Sequence, residues 1–165
     1  MDRKKSIDLL NQAVADELSA VHQYMYFHFH LDDLGFGPLA TLFKRTAIEE
    51  MVHIELLAER ILFLKGDVDL VPSHEVERIT EPEAMLVKAA EMEVQSAADY
   101  NRSAIACSEN ADSASKQIFE QLVGDEERHF EQYDRQLDNV KRFGGSYLAL
   151  QSFGPGEGDP GAAPA

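Results

Sequence analysis

Apolar residues recur at intervals of three and four through most of the chain. Between Met1 and Leu34, Ile7, Leu10, Val14, Leu18, Val21 and Met25 keep that spacing, the signature of one face of an α-helix. From Leu39 to Lys65 the apolar set is wider: Leu39, Leu42, Ile48, Met51, Val52, Ile54, Leu57, Ile61 and Leu64 cover more than one face. A helix so patterned is expected to be buried on two sides, one against its own bundle and one against another subunit. Two further stretches, Glu83 to Asn110 and Ser113 to Phe143, are almost free of helix breakers, with Gly124 the one exception. Gly35-Phe36-Gly37-Pro38 separates the first two helices and Gly144-Gly145 ends the fourth. Ser146 to Leu150 forms a short apolar piece after it. Thr80 and Glu83 have the spacing of a capping box, with Pro82 in the first turn of the third helix. No segment alternates as a strand.

The polar stretch from Gly66 to Thr80 is long enough to run the length of a helix pair. The short connections make helices one and two antiparallel neighbours, and likewise helices three and four. The expected fold is therefore all-α: a four-helix bundle with one long crossover and a short fifth C-terminal helix, the ferritin-like arrangement. One domain is expected over residues 1–153, followed by a Gly/Pro/Ala-rich, disordered tail over 154–165.

Composition narrows the class. The 165 residues are 44% hydrophobic and 27% charged, as in a globular domain large enough to bury a core without disulfides. The net charge of −15 opposes electrostatic binding to nucleic acid, which calls for a basic face. No apolar run has the length of a membrane span, and the opening residues lack the apolar stretch and cleavage site of a secretory signal. A single cysteine, Cys107, has no partner within the chain, so a reducing cytoplasm is the expected location.

The chemistry lies in a repeat. Glu50-Met51-Val52-His53 and Glu126-Glu127-Arg128-His129 are both Glu-x-x-His, which puts a carboxylate and an imidazole on one helix face. Alone, such a motif means little, because helices are rich in glutamate. Its register gives it weight: Glu17 precedes Glu50 by 33 residues, and Glu93 precedes Glu126 by 33. Tyr24 and Tyr100 each follow by seven residues the first glutamate of their half, and Glu49 matches Asp125. All these pairs share one offset of 76 residues. Four-helix dimetal proteins use this donor set, one Glu from each of two helices and Glu-x-x-His from the other two. Bridging carboxylates offset the repulsion between two cations, and imidazole suits iron. The candidate ligands are thus Glu17, Glu50, His53, Glu93, Glu126 and His129. Glu93 is preferred to Glu91 because it alone keeps the 33-residue spacing. Tyr24 lies on the ligand face and can donate a hydrogen bond to a ligand carboxylate. Tyr100 reads better as core filling, and His22, His28, His30 and His74, without repeat partners, as structural or surface residues.

With these residues in view, the sequence resembles the bacterioferritins. The resemblance rests on Glu17-Leu18-Ser19-Ala20-Val21-His22-Gln23-Tyr24, Glu50-Met51-Val52-His53, Glu59-Arg60-Ile61-Leu62-Phe63-Leu64-Lys65-Gly66 and Asp125-Glu126-Glu127-Arg128-His129. It extends from about Asp8 to Leu150. It implies a di-iron ferroxidase centre, with Glu17 and His53 on one iron, Glu93 and His129 on the other, Glu50 and Glu126 bridging, and Tyr24 hydrogen-bonded nearby. It further implies iron storage and detoxification in a homo-oligomeric shell of 24 subunits, in which dioxygen or hydrogen peroxide oxidises ferrous iron. The implied partners include an electron-donating ferredoxin for iron release. A b-type haem at a two-fold subunit interface would take Met51 as its axial ligand. Arg45 stands where well-known relatives carry a cavity-facing His, which argues against an accessory inner iron site. The alternative reading is a rubrerythrin-like di-iron peroxidase, whose rubredoxin-type Cys-x-x-Cys pair is missing. A non-catalytic helical interaction protein would leave the 76-residue offset unexplained, and a DNA-protecting mini-ferritin would lack the paired Glu-x-x-His motifs.

Overall fold

The structure is a computed structural model that describes residues 1–153; the expected tail over 154–165 lies outside the described residues. Four long helices, α1 (Arg3–Asp33), α2 (Gly37–Phe63), α3 (Pro82–Glu109) and α4 (Ser113–Phe143), are followed by the short α5 (Gly145–Leu150). There is no strand among the described residues. The closest packing is within the hairpins α1/α2 and α3/α4, with thinner contact where α1 meets α3 and α2 meets α4. The fold is the expected bundle with one long crossover.

α1 and α4 each bury a seam whose members lie three or four apart. In α1 the seam is Leu10, Ala13, Glu17, Ala20, Tyr24, Phe27 and Leu31; in α4 it is Ser115, Phe119, Leu122, Glu126, His129, Tyr133, Leu137 and Val140. The seam of α1 is displaced from the stripe suggested by apolar spacing, because Leu18, Val21 and Met25 are only partly buried at its flank. Glu17 and Tyr24 take the central positions instead.

The result is a core in two apolar halves. One half gathers Tyr24, Phe27 and Leu31 with Phe43, Met85, Leu86 and Leu137. The other gathers Leu10 and Val14 with Leu57, Ile61, Ala104, Phe119 and Leu122. Along the four long helices, the glutamates and histidines of the repeat lie between the two.

The crossover is fastened to α1 by hydrogen bonds at Asn11, Ala15, Ser19 and Gln23, spaced four residues apart. Asn11 donates to the Asp67 carbonyl at 2.9 Å and accepts from the Asp69 amide at 2.9 Å. The Ser73 amide donates to the Ala15 carbonyl at 3.0 Å, and the His74 amide to Ser19 Oγ at 3.0 Å. Buried Gln23 bonds both backbone groups of Glu77, at 3.0 and 2.8 Å. The segment therefore climbs along α1 and delivers α3 to the end of the bundle where α1 finishes.

The capping box expected at Thr80 is not formed. Glu81 is the N-cap, and its side chain makes no capping bond. It precedes Pro82, which disfavours helical geometry at that residue and holds it extended (φ −84°, ψ 124°). The helix accordingly begins one residue later than a Thr80 cap requires, and Pro82, having no N–H, needs no capping acceptor.

Candidate metal centre

Glu17 on α1, Glu50 and His53 on α2, Glu93 on α3, and Glu126 and His129 on α4 converge at the middle of the bundle. None is more than 5% exposed. Two groups of potential ligand atoms form, each within a 4.8 Å span: Glu17, Glu50, His53 and Glu126 in one, and Glu50, Glu93, Glu126 and His129 in the other. Glu50 and Glu126 belong to both.

The helical register supplies this geometry. Within each Glu-x-x-His, both side chains point inward from one face. His53 Nδ1 lies 2.8 Å from Glu50, 3.2 Å from Glu17 and 3.3 Å from Glu126. His129 Nδ1 lies 3.1 Å from Glu50, 3.6 Å from Glu126 and 3.7 Å from Glu93. The two imidazoles face each other with ring centres 5.9 Å apart and planes inclined by 26°.

Both tyrosines of the repeat donate into the site across the bundle. The Tyr24 hydroxyl donates to Glu93 Oε1 at 2.5 Å, and the Tyr100 hydroxyl to Glu17 Oε1 at 2.6 Å. Tyr100 thus does more than fill the core, and the signal was its place in the offset. Glu49 and Asp125 also carry an unanticipated contact: each approaches the outer Nε2 of the histidine on the opposite helix, His129 at 2.8 Å and His53 at 3.4 Å.

Glu91 is exposed and lines a surface groove with Asp16 and Asp99. Met51 is half exposed on the outer side of α2. His28 is buried against the Ala40 carbonyl, whereas His22 and His74 are exposed.

The electrostatics are those of a site short of positive charge. Burial, followed by the proximity of Glu50, pushes the carboxyls of Glu17 and Glu93 well above the usual range. For His53 burial acts downward, but Glu126, Glu17 and Glu50 outweigh it and lift the imidazole to about 12. His129 is raised in the same way. Glu126 would be raised by burial, yet contacts with His129 and His53 hold it down at about 2. Four buried carboxylates cannot all ionise without compensating charge.

The donor set fits two cations. Both Glu50 oxygens, Glu126 Oε1 and His129 Nδ1 are buried without a hydrogen-bond partner. Leaving such atoms unsatisfied costs on the order of 1–3 kcal/mol each, more when charged. All of them point into the same small volume, where coordination to metal would satisfy them together.

Fold and donor set together define a four-helix-bundle protein of the carboxylate–histidine dimetal class. The comparisons agree: the model of the ferritin-like domain matches residues 7–143. A bacterioferritin from Desulfovibrio desulfuricans is 36% identical over 149 residues, 90% of this chain and 83% of that protein. One from Rhodobacter capsulatus is 34% identical over 92% of this chain and 94% of its own length. The crystal structure of a Desulfovibrio desulfuricans bacterioferritin, described for its diiron site in different catalytic states, superposes with a TM-score of 0.91. It is 33% identical and covers 93% of this chain and 90% of that one. The chain belongs to the bacterioferritins, within the ferritin family. Iron storage with oxidation of ferrous iron is the function of that family.

Proposed function

We propose that this chain is an iron-storage ferroxidase in which Glu17, Glu50, His53, Glu93, Glu126 and His129 hold two iron ions. The observation that carries the reading is the pair of overlapping donor groups that share Glu50 and Glu126. Glu17 with His53 would serve one ion, Glu93 with His129 the other, and the shared glutamates would lie between. The chemistry such a site would supply is the two-electron reduction of dioxygen to hydrogen peroxide, or of hydrogen peroxide to water, each taking up two protons as two ferrous ions become ferric.

The protein's part is electrostatic and positional. Four carboxylates balance the charge of two ferrous ions in a dry interior. Glu49 and Asp125 hold the imidazoles with Nδ1 turned inward. Tyr24 and Tyr100 fix the terminal carboxylates, Glu93 and Glu17, so that neither swings away when charge changes. The two apolar halves exclude water from both ends of the site.

The reading extends to the particle. A homo-oligomeric shell of 24 subunits would enclose the ferric mineral, with a ferredoxin donating electrons for iron release in the cytoplasm. No helix is long and apolar enough to cross a membrane among the described residues. Haem would lie between two subunits, where an exposed apolar strip of Ile48, Met51 and Val52 presents a thioether at its centre. Two such sulfurs across a two-fold axis would ligate one haem iron and tune its potential.

Stopped-flow oxidation of ferrous iron tests the centre. Glu50→Ala and Glu126→Ala should each nearly eliminate the rapid phase, beyond the roughly 10- to 100-fold typical of losing an outer partner. Glu91→Ala should match the parent protein. If neither bridging variant is slowed, the dimetal reading fails.

A further inference from the structure

We propose that Arg128 is a positioning residue that braces both metal-binding histidines at once, through Glu49 on one side and Asp125 on the other. The proposal rests on the dimetal reading above.

The brace runs across the thin contact between α2 and α4. Glu49, on α2, accepts a hydrogen bond from Nε2 of His129, on α4, at 2.8 Å. Asp125, on α4, approaches Nε2 of His53, on α2, at 3.4 Å. Each acid immediately precedes the glutamate of its own Glu-x-x-His but serves the histidine of the other helix. Arg128 closes the pattern: Nη1 donates to Glu49 Oε2 at 2.8 Å and Nη2 to Asp125 Oδ1 at 3.1 Å. Glu49 Oε2, the oxygen that Arg128 holds, is also the one that meets His129. Arg45 approaches the other oxygen of Glu49 at 3.9 Å, and its guanidinium donates to Gln132 at 2.9 Å.

An arginine this exposed (45%) usually makes ion pairs of about 0–1 kcal/mol, with no further consequence. Here the acids are not free surface groups, because both reach buried imidazoles. A carboxylate that accepts the outer N–H of a ligand histidine fixes its tautomer, points the other nitrogen at the metal and raises its basicity. Whatever holds the carboxylate therefore acts on the metal. The planar fork of arginine can hold two acids from two helices, which the single ammonium of lysine does less well. The repeat does not duplicate the device, since the residue 76 positions before Arg128 is Val52. One guanidinium must serve both halves.

Anaerobic titration of the metal-free assembled protein with cobalt(II), read by its visible ligand-field bands, separates the possibilities. The unsubstituted protein should bind two cobalt ions per chain. Glu49→Ala should weaken chiefly one and Asp125→Ala chiefly the other. Arg128→Ala should weaken both, by roughly tenfold, the lower end of the range for outer partners. Arg128→Lys should restore part of the loss. In the Glu49→Ala/Asp125→Ala background, removing Arg128 should add almost nothing, because the arginine acts through those acids. An Arg128→Ala titration that superposes on the parent curve, or a loss that adds in full to the double variant, overturns the brace and leaves the dimetal centre standing. A parent protein that takes up no cobalt would overturn the centre, and the brace with it.

Discussion

At the scale of single residues, the bundle tolerates charged groups in its seam because they are arranged to be neutralised together. Glu17, Glu50, Glu93 and Glu126 occupy positions that helix packing otherwise gives to Leu or Ala. This is why apolar counting misplaced the buried face of α1 while the 76-residue offset identified the polar members. The same offset contained the Tyr100 and Glu49 contacts, but equivalence in sequence does not say which atom meets which across a bundle. Arg128 had no such signal, because its register partner is Val52. The raised pKa values of His53, Glu17 and Glu93 carry a pH consequence. The His53 imidazole, lifted to about 12, holds its proton near neutrality in the metal-free site, and a metal must displace it. Metal binding should therefore release protons, and affinity should rise with pH through the neutral range. Cobalt added to lightly buffered protein, with the pH followed directly, should acidify the solution; no proton release would mean that the site is already deprotonated.

At the scale of elements, the helices were legible from periodicity and their ends only partly so. α1, α2 and α3 finish with the same paired hydrogen bonds, in which the amides of Phe36, Gly66 and Asp112 reach back to Leu31, Ile61 and Cys107. The residue before each of those amides takes a left-handed conformation. It is Gly35 at α1, but Lys65 (φ 66°) at α2 and Ala111 (φ 54°) at α3. Glycine announces such an end in sequence, whereas lysine and alanine do not. A side chain there costs about 1–2 kcal/mol, against which glycine loses about 0.5–1 in chain entropy. Ala111→Gly should thus stabilise the metal-free protein by about 0.5–1 kcal/mol, seen as a higher urea midpoint with an unchanged slope. A lower midpoint would show that the exposed alanine methyl contributes more than its strain removes. At α4, Asp112 stands at a position that sequence marks as an N-cap and caps Ser115, but its pairing with Arg60 at 2.6 Å from the end of α2 had no sequence signal.

At the scale of the whole molecule, α2 leaves an apolar strip uncovered. Ile48, Met51, Val52, Leu62 and Phe63 on α2 are between 48% and 72% exposed, on the side away from the metal centre. Sequence patterning anticipated a second buried face on this helix, but nothing among the described residues covers it. A homo-oligomer of closed symmetry would cover that face, and a 24-subunit particle of 18.4 kDa chains would have a mass of about 440 kDa. Light scattering should give that mass; a monodisperse monomer or 12-mer would contradict it. Met51→Leu should abolish haem absorbance while leaving the assembly and ferrous oxidation intact, since Met51 faces away from the iron site.

Glu50 and Glu126 should lie between two iron ions inside one chain. Crystals equilibrated anaerobically with ferrous iron, with anomalous data collected at the iron edge, locate those ions without recourse to activity. Two buried peaks per chain are expected, about 3.5–4 Å apart as in other two-metal sites. One should lie beside His53 Nδ1 and the other beside His129 Nδ1, with Glu50 and Glu126 in contact with both. A single peak, or iron found only among surface acids such as Glu91 and Asp99, would contradict the account.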